Sequence, residues 1–418
     1  MAEYLPRVID GLLTDRLSSA GAVLIEGPKA CGKTRTAEQA ARSAVYLDRD
    51  EASLQAIEID PGLVLAGEAP QLVDEWQLDG TRIWNHVRSQ VDQRGEPGQF
   101  ILTGSAVPND DVRRHSGAGR FARLTMRPMS LYESGDSRGL MSLRGLLAGD
   151  RPQAPADAMT IQRLAELVVR GGWPLNLQLG ATQAAAANRD YLRTLVEVDL
   201  PRTAGPRRDP VRVMRFVQAL ARNTAMEHVV SRLAAEAMGE EDPLSRPSAY
   251  EYQDALTRLM VLEVQPAWST HLRSRARLRD RPRTHLVDPS LAAAALDATP
   301  AKLLKDLNTL RLLFESLVVR DLRIYAEAVD AAVYHYRDSD DLEVDAIVET
   351  RNGTWGAFEV KLGTGQVDQA AAQLRRFADK VDAGKVGPPA VLGVITANGY
   401  GLTRPDGVVT IPIGMLGP

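Results

Sequence analysis

The sequence predicts an α/β multidomain protein, and three observations support this. First, 418 residues suffice for two or three domains at roughly 150 residues each. Second, 44% of the residues are hydrophobic, which can give each domain a core and excludes a disordered chain. Third, short apolar runs such as Ala22 to Ile25 and Phe100 to Leu102 alternate with segments compatible with helices. This alternation is typical of a largely parallel sheet.

Charge and cysteine content restrict the class of protein further. The chain has 50 basic and 54 acidic residues, a net charge of −4, so any contact with nucleic acid must be local. The single cysteine, Cys31, excludes an intrachain disulfide and fits a reducing compartment. No uncharged apolar run approaches the ~18 residues of a membrane span, and the start of the chain lacks a secretory pattern. We therefore expect a cytoplasmic protein without a membrane partner.

The segment AVLIEGPKACGKT predicts a phosphate-binding loop between a strand and a helix. Glycines let backbone N–H groups surround phosphates, Lys33 can reach the outer phosphates of ATP, and the Thr34 hydroxyl can ligate Mg²⁺. The alternative is a glycine-rich turn that matches by chance. Cys31 lies in the loop, and we treat its thiol as inert. The predicted nucleotide-binding residues are Gly27, Pro28, Lys29, Ala30, Cys31, Gly32, Lys33, Thr34 and Arg35.

An ATP hydrolase also needs acids on a second strand, and Asp74-Glu75 follow the apolar pair Leu72-Val73. Asp74 would order the magnesium ion and Glu75 would polarise the attacking water. The alternative is an exposed acidic strand end. Ser105 or Thr103, at the end of a third apolar run, could orient the water or cap the next helix.

Charge on the transferring phosphoryl group calls for an arginine, which in ring-forming ATPases comes from the neighbouring subunit. Arg113, Arg114 and Arg120 are the candidates, and Arg120 follows the flexible Gly117-Ala118-Gly119. The alternative is a solvated or ion-paired arginine. We accordingly expect a homo-oligomer, a hexamer or similar ring.

Composition and periodicity divide the chain into three domains. The first covers residues 1–149, and the proline-rich residues 150–157 are predicted to be a linker. A mostly helical domain follows over 158–300, and a C-terminal α/β domain covers 301–418. In the last, a helix from Leu303 through Arg323 is expected to come first. Strands around Val333 to Tyr336, Glu343 to Glu349 and Trp355 to Lys361 should follow, and then a helix over Gln366 to Val381 and a strand over Ala390 to Ile395.

The second half of the helical domain has the order of a winged helix. The Ser248 and Glu251 pair predicts a capping box at the start of its second helix. The expected elements are a helix over Val229 to Met238, a turn, the helix from about Ser248, and strands at Val261 to Val264 and Thr284 to Val287.

An arginine strip lies between the two predicted strands. Arg273, Arg275, Arg277 and Arg279, continued by Arg281 and Arg283, are spaced by two and opposed only by Asp280. On an extended wing they would face nucleic-acid phosphates, DNA more readily than RNA, while Arg246 could enter a groove. The alternative is a solvated loop.

Taken together, the motifs resemble the bacterial and archaeal AAA-type ATPases that carry a C-terminal domain of unknown function, DUF4143. The matching segments are Leu5-Pro6-Arg7, GPKACGKT, PQLVDEWQ, FILTGSA, GAGRF, RPMSLYE, GGWP, LFESLV, VDAIVE and FEVKLG. The resemblance implies ATP binding, a winged-helix segment and a C-terminal fold similar to restriction endonucleases. Trp76 departs from the family pattern, in which a smaller aliphatic residue is common, but removes no catalytic group.

Nucleases of that fold use an acid on the first helix, an Asp on a strand and a Glu-x-Lys on the next. Glu315, Asp345, Glu359 and Lys361 match these positions, with Asp345 and Glu359 as metal ligands and Gln373 nearby. The alternative is a surface hairpin with an ion pair. A two-residue turn at Asn352-Gly353 would pair Asp345 with Val360 and separate the acids. A three-residue loop, Asn352 to Thr354, or one bulge would pair Asp345 with Lys361 and keep Asp345, Glu359 and Lys361 on one face.

Two hypotheses follow for function. In the first, an oligomeric Mg²⁺-dependent ATP hydrolase acts on nucleic acid and its C-terminal domain can be a nuclease. In the second, the chain is an ATP-dependent binding switch whose C-terminal domain is a non-catalytic recognition or docking module.

Overall fold

The computed structural model describes residues 3–104, 117–201, 209–238, 244–269 and 281–418. The chain forms two compact units, Met1–Pro128 with Ala255–Met260, and Met129–Asp254 with Val261–Pro418. The first unit thus ends before the boundary expected at 149. In the described ranges, no helix combines the length and the apolar character needed to span a bilayer.

The first unit contains a five-stranded parallel sheet in the order β2-β3-β4-β1-β5. Strand β4 is buried along its whole length and β1 along all but its last residue, because both are apolar runs with neighbours on each side. The expected parallel sheet is therefore present. Its elements are α1 (Ile9–Leu17), β1 (Ala22–Glu26), α2 (Lys33–Ala40), β2 (Ser43–Tyr46), α3 (Glu51–Ile59), β3 (Gln71–Asp74), α4 (Gly80–Arg94), β4 (Phe100–Gly104) and β5 (Phe121–Thr125).

The second unit begins with short elements that join its C-terminal sheet. Strand β6 (Met141–Ser142) pairs in parallel with β16 (Leu416–Gly417), and α5 covers Leu143–Leu147. Strand β7 (Ala154–Asp157) pairs with β14 (Gly399–Thr403) at the edge of the sheet. The predicted linker over 150–157 is therefore wrong for its second half: edge pairing makes a strand of a segment that contains a proline.

The middle of the second unit is mostly helical. Its helices are α6 (Ile161–Arg170), α7 (Ala181–Thr194), which continues into a π-helical turn, α8 (Pro210–Arg222), α9 (Val230–Met238), α10 (Arg246–Arg258), α11 (Pro289–Ala295) and α12 (Pro300–Lys305). The last residues of α10, 255–258, belong to the first unit. Antiparallel strands β8 (Leu262–Gln265) and β9 (Arg283–Leu286) follow α10 and precede α11.

Helix α10 begins earlier than the sequence predicts. Its first residue is Arg246, and the backbone N–H of Ser248 donates to the Ser245 hydroxyl at 3.2 Å. The capping box expected from Ser248 and Glu251 is therefore wrong, because the helix already extends past Ser248. The turn expected between the two helices, residues 239–243, lies outside the described residues.

The C-terminal part contains a seven-stranded mixed sheet in the order β10-β11-β12-β13-β15-β14-β7. The helix expected from Leu303 is two helices, because the Asp306 side chain accepts from the Thr309 N–H and starts a new one. The elements are α13 (Leu307–Glu327), β10 (Ala331–Arg337), β11 (Glu343–Thr350), β12 (Trp355–Lys361), α14 (Val367–Lys380), α15 (Ala383–Val386), β13 (Val391–Thr396), β14 and β15 (Val409–Pro412).

Candidate functional sites

The loop between β1 and α2 has the backbone that a phosphate-binding loop requires. Gly27 approaches the chain so closely that a Cβ there would lie 2.1 Å from the carbonyl oxygen of Met126. Gly32 has a φ of 106°, which favours glycine, and immediately precedes the first residue of α2. The exposed Lys29 and Ala30 form the outer edge of the loop. The N–H groups of α2 thus open towards the loop.

The polar side chains at this end of the sheet converge. Lys33 is buried and its Nζ donates to the carbonyl oxygens of Gly27 at 2.9 Å and Pro28 at 2.8 Å. The Thr34 hydroxyl donates to Asp74 Oδ1 at 2.9 Å, and the Thr103 hydroxyl donates to the same oxygen. Asp74 and Thr103 are partners in the parallel register of β3 and β4, which explains this contact. Thr34 and Asp74 therefore present two hard oxygen atoms that suit a magnesium ion.

Glu75 follows β3 in a left-handed backbone conformation, with a φ of 54°. Burial raises the pKa of its carboxyl group, while Lys33 and the hydrogen bond from Gln77 oppose that rise. Gln77 Nε2 donates to Glu75 Oε2, and Gln77 Oε1 is buried without a hydrogen-bond partner among the described residues. The sequence did not indicate Gln77, because an amide two residues after an acid is a common surface pattern.

The remaining residues predicted for this site lie in different surroundings. Cys31 is buried, with its carbonyl oxygen held by Arg7 Nη1 at 2.9 Å. Arg35 is exposed and pairs with Glu38 at 2.8 Å. Arg120 is half-exposed and its Nε donates to Asp92 at 2.8 Å, so within one chain it is ion-paired. Ser105, Arg113 and Arg114 lie outside the described residues.

The hairpin of β11 and β12 decides whether the C-terminal acids meet. Ala346 pairs with Phe358 and Glu349 with Trp355, so Asp345 lies opposite Glu359. The loop is Arg351 to Gly353, closed by the N–H of Thr350 to the carbonyl of Thr354 at 2.9 Å, and Gly353 has a φ of 87°. Both expected pairings of Asp345, with Val360 and with Lys361, are therefore wrong. The loop nevertheless has three residues, and the acids do share one face.

The four expected residues come together in a buried cluster. Lys361 Nζ donates to Glu359 Oε2 at 2.6 Å and lies 3.7 Å from Asp345 Oδ2. Gln373 Nε2 donates to Glu359 Oε1 at 3.3 Å. Glu315 is 3% exposed and lies on the first helix of the sheet domain, α13. We call Glu315, Asp345, Glu359 and Lys361, with Arg283, the carboxylate cluster.

Arg283, from β9, lies within this cluster. Its Nη1 donates to Glu315 Oε1 at 2.7 Å and to Asp345 Oδ1 at 3.5 Å. The spacing of the arginines predicts that Arg283 faces nucleic-acid phosphates, and that prediction is wrong because its guanidinium is buried among acids. Sequence reasoning did not find this contact, since Arg283 and Asp345 lie on different elements.

A divalent metal ion does not fit this cluster as it stands. Magnesium requires carboxylate oxygens at about 2.0–2.1 Å, whereas these oxygens face a guanidinium and an ammonium. In the described parts of the chain, no group of three or more His, Cys, Asp or Glu residues is arranged to hold a metal ion. Burial, followed by repulsion from Asp345, raises the pKa of both Glu315 and Glu359. The salt bridges of Arg283 and Lys361 to these acids nevertheless make the cluster an ion-pair network.

Only part of the predicted nucleic-acid surface is described. The Arg246 guanidinium lies 5.6 Å from the centre of the half-exposed Tyr250 ring. Arg273, Arg275, Arg277 and Arg279 lie outside the described residues. Arg246 and Tyr250 thus form an exposed cationic and aromatic pair at the start of α10.

The fold and the loop define the class of protein. A phosphate-binding loop on β1, with β4 inserted between β1 and the acid-bearing β3, is typical of P-loop ATPases of the AAA type. Residues 19–135 match the family described as an AAA domain, and residues 312–416 match the domain of unknown function DUF4143. The chain therefore contains an AAA domain followed by a C-terminal DUF4143 domain. Residues 161–302 match a further domain of unknown function, DUF8612.

No curated protein matches the chain. Among solved structures, the chain is similar to one described as "Structure of Drosophila ORC bound to DNA", at 16% identity over 69% of this chain and 84% of that chain. The TM-score of 0.22 is too low to define a shared fold.

Proposed function

We propose that this chain is a Mg²⁺-dependent ATP hydrolase that works as a homo-oligomer and acts on nucleic acid. The observation that carries the proposal is the convergence of Lys33, Thr34 and Asp74 on the loop between β1 and α2. A buried lysine amine, a hydroxyl and a carboxylate next to glycine-bounded backbone N–H groups suit a nucleoside triphosphate with its metal ion.

Each residue has a distinct task in this mechanism. Lys33 exchanges the neutral carbonyls of Gly27 and Pro28 for phosphate oxygens, because an ammonium group is attracted more strongly to an anionic oxygen than to a neutral one. Thr34 and Asp74 hold Mg²⁺, which when bound neutralises charge on the phosphate oxygens. Glu75 accepts a proton from the attacking water.

The test is ATP turnover and ATP binding by wild type, Lys33→Ala and Glu75→Gln. We expect Lys33→Ala to lose binding and turnover together. Glu75→Gln should still bind ATP, whereas its turnover falls about 100- to 10,000-fold, the usual contribution of a general base. Arg42→Ala, at an exposed ion pair with Glu68, is the matched control and should retain wild-type turnover. Full turnover by Lys33→Ala would rule out this assignment.

An arginine from the next subunit completes the proposed site, and Arg120 is the described candidate. Mixing tests this directly: Arg120→Ala lacks the arginine, and Lys33→Ala lacks the nucleotide site. If the arginine acts across an interface, the mixture recovers turnover that neither variant has alone. If sedimentation shows that the mixture forms a ring but its ATP turnover does not recover, Arg120 is excluded from this role.

The C-terminal domain has two candidate roles, cleavage of nucleic acid or recognition without cleavage. Arg283 and Lys361 already pair with the acids Glu315, Asp345 and Glu359, and this favours recognition of nucleic acid without cleavage. Cleavage of plasmid, linear and single-stranded DNA with Mg²⁺ should be compared between wild type and Asp345→Ala/Glu359→Ala. Cleavage lost in the double variant supports a nuclease. ATP hydrolysis without any cleavage supports an ATP-dependent binding switch.

A further inference from the structure

The carboxylate cluster contains a cation supplied by the chain itself. Arg283 is the first residue of β9 and is 5% exposed. Its Nη1 contacts one acid of α13, Glu315, and one acid of β11, Asp345, and its Nη2 lies 3.3 Å from Glu343. One guanidinium therefore connects three acids from two elements.

Nitrogen donors already engage every oxygen of the three buried acids. Besides the contacts of Arg283, Arg311 lies 3.6 Å from Glu315 Oε2 and the Val360 N–H donates to Asp345 Oδ2 at 2.9 Å. Lys361 and Gln373 engage the two oxygens of Glu359. A metal ion that entered the cluster would compete with these donors, two of them cationic, for the carboxylate oxygens.

Burial makes Arg283 and the acids mutually dependent. A buried guanidinium is strongly unfavourable unless acids surround it, and buried acids need a cation in return. Arginine is suited to this position because its planar fork can bridge two carboxylates, which a lysine ammonium does less well.

The same contacts attach the β8–β9 hairpin to the C-terminal sheet. Arg283 pairs with Gln265 in the hairpin, and Gln265 Nε2 donates to the carbonyl of Asp345 at 2.9 Å. Trp268 N–H also donates to the carbonyl of His335 on β10 at 2.6 Å. The cluster therefore joins elements that are distant in sequence.

We propose that Arg283 replaces a divalent metal ion in the carboxylate cluster, and that its removal exposes a latent divalent-cation site. The proposal is independent of the ATPase function, since neither turnover nor nucleic-acid binding enters it.

The experiment measures thermal unfolding of the nucleotide-free full chain with and without Mn²⁺ at mildly alkaline pH. All variants carry Asp74→Asn, which removes any effect of Mn²⁺ at the nucleotide site. In this background, the protein that keeps Arg283 should show no change in Tm when Mn²⁺ is added. Arg283→Ala should have a lower Tm, which Mn²⁺ at 100 times its dissociation constant raises by about 4–5 °C. Adding Asp345→Asn to Arg283→Ala should abolish the rise.

Arg311→Ala is the matched control, because it removes a half-exposed arginine from the same Glu315 and should gain no Mn²⁺ response. A folded Arg283→Ala without a Mn²⁺ response overturns the proposal. Should that variant not fold in either condition, Mn²⁺ binding by the protein with Arg283 intact decides, measured by electron paramagnetic resonance. If this protein binds Mn²⁺ and Asp345→Asn abolishes the binding, the proposal is overturned. If it shows no such binding, the proposal is supported.

Discussion

The nucleotide site and the carboxylate cluster use the same residue types, Asp, Glu and Lys, but differ in what neutralises the charges. In the nucleotide site, Lys33 donates to neutral carbonyls and Asp74 accepts from hydroxyls. In the cluster, buried carboxylates face Arg283 and Lys361. A site whose charges have neutral partners can exchange them for a charged ligand, whereas a site neutralised by its own cations stabilises the fold.

The largest expected effect comes from making the same substitution at both sites. Asp345 accepts on both oxygens, so Asp345→Asn must turn its amide NH₂ towards a donor and leave Arg283 underpaired. We expect it to lower the free energy of unfolding by about 3 kcal/mol. Asp74 accepts both hydroxyls on Oδ1, which asparagine retains, so Asp74→Asn should cost less than about 1 kcal/mol. Urea unfolding measures the loss of unfolding free energy in both variants. Equal losses would contradict the proposed difference between the two sites.

The pH dependence of stability sharpens the comparison with a smaller effect. Burial raises the pKa of Glu315 and Glu359 from 4.5 to about 8. A group whose pKa rises on folding contributes stability that is complete below its unfolded pKa and is lost as pH rises through the folded value. The unfolding free energy should therefore decline from pH 4.5 towards 8, and Glu359→Gln should decline less steeply. Parallel curves for wild type and variant would contradict this.

The smallest effect concerns the edge of the nucleotide site. Arg35 is exposed and its pair with Glu38 lies along one face of α2. Such pairs contribute little, so Arg35→Ala should change the unfolding free energy by less than about 0.5 kcal/mol. If the exposed Arg35 does not reach the phosphates, the KM of the Arg35→Ala variant for ATP should stay within about twofold of the wild-type value. Lys33→Ala is measured in parallel. A tenfold rise would assign Arg35 to nucleotide binding.

Much of the fold followed from local patterns. The apolar run before the glycines predicted β1, and the loop after it follows from glycine spacing alone. Strand β12 has the predicted bounds, Trp355 to Lys361, because the local pattern of apolar residues is sufficient to indicate a strand. The edge strand β7 was predicted wrongly because its pairing partner, β14, lies far along the chain. The start of α10 was predicted wrongly because the Ser245 hydroxyl, three residues before the predicted Ser248, accepts from the first turn.

The sequence by itself determined the phosphate-binding loop, the parallel sheet that supports it and the acids of the C-terminal hairpin, because short-range spacing specifies each of them. Only the tertiary structure decided what those acids contact. Arg283 meets Asp345 across 62 residues of chain, and the three-residue loop sets which acids share a face. Contacts of that kind depend on how separate elements pack, so no local pattern of residue types reports them.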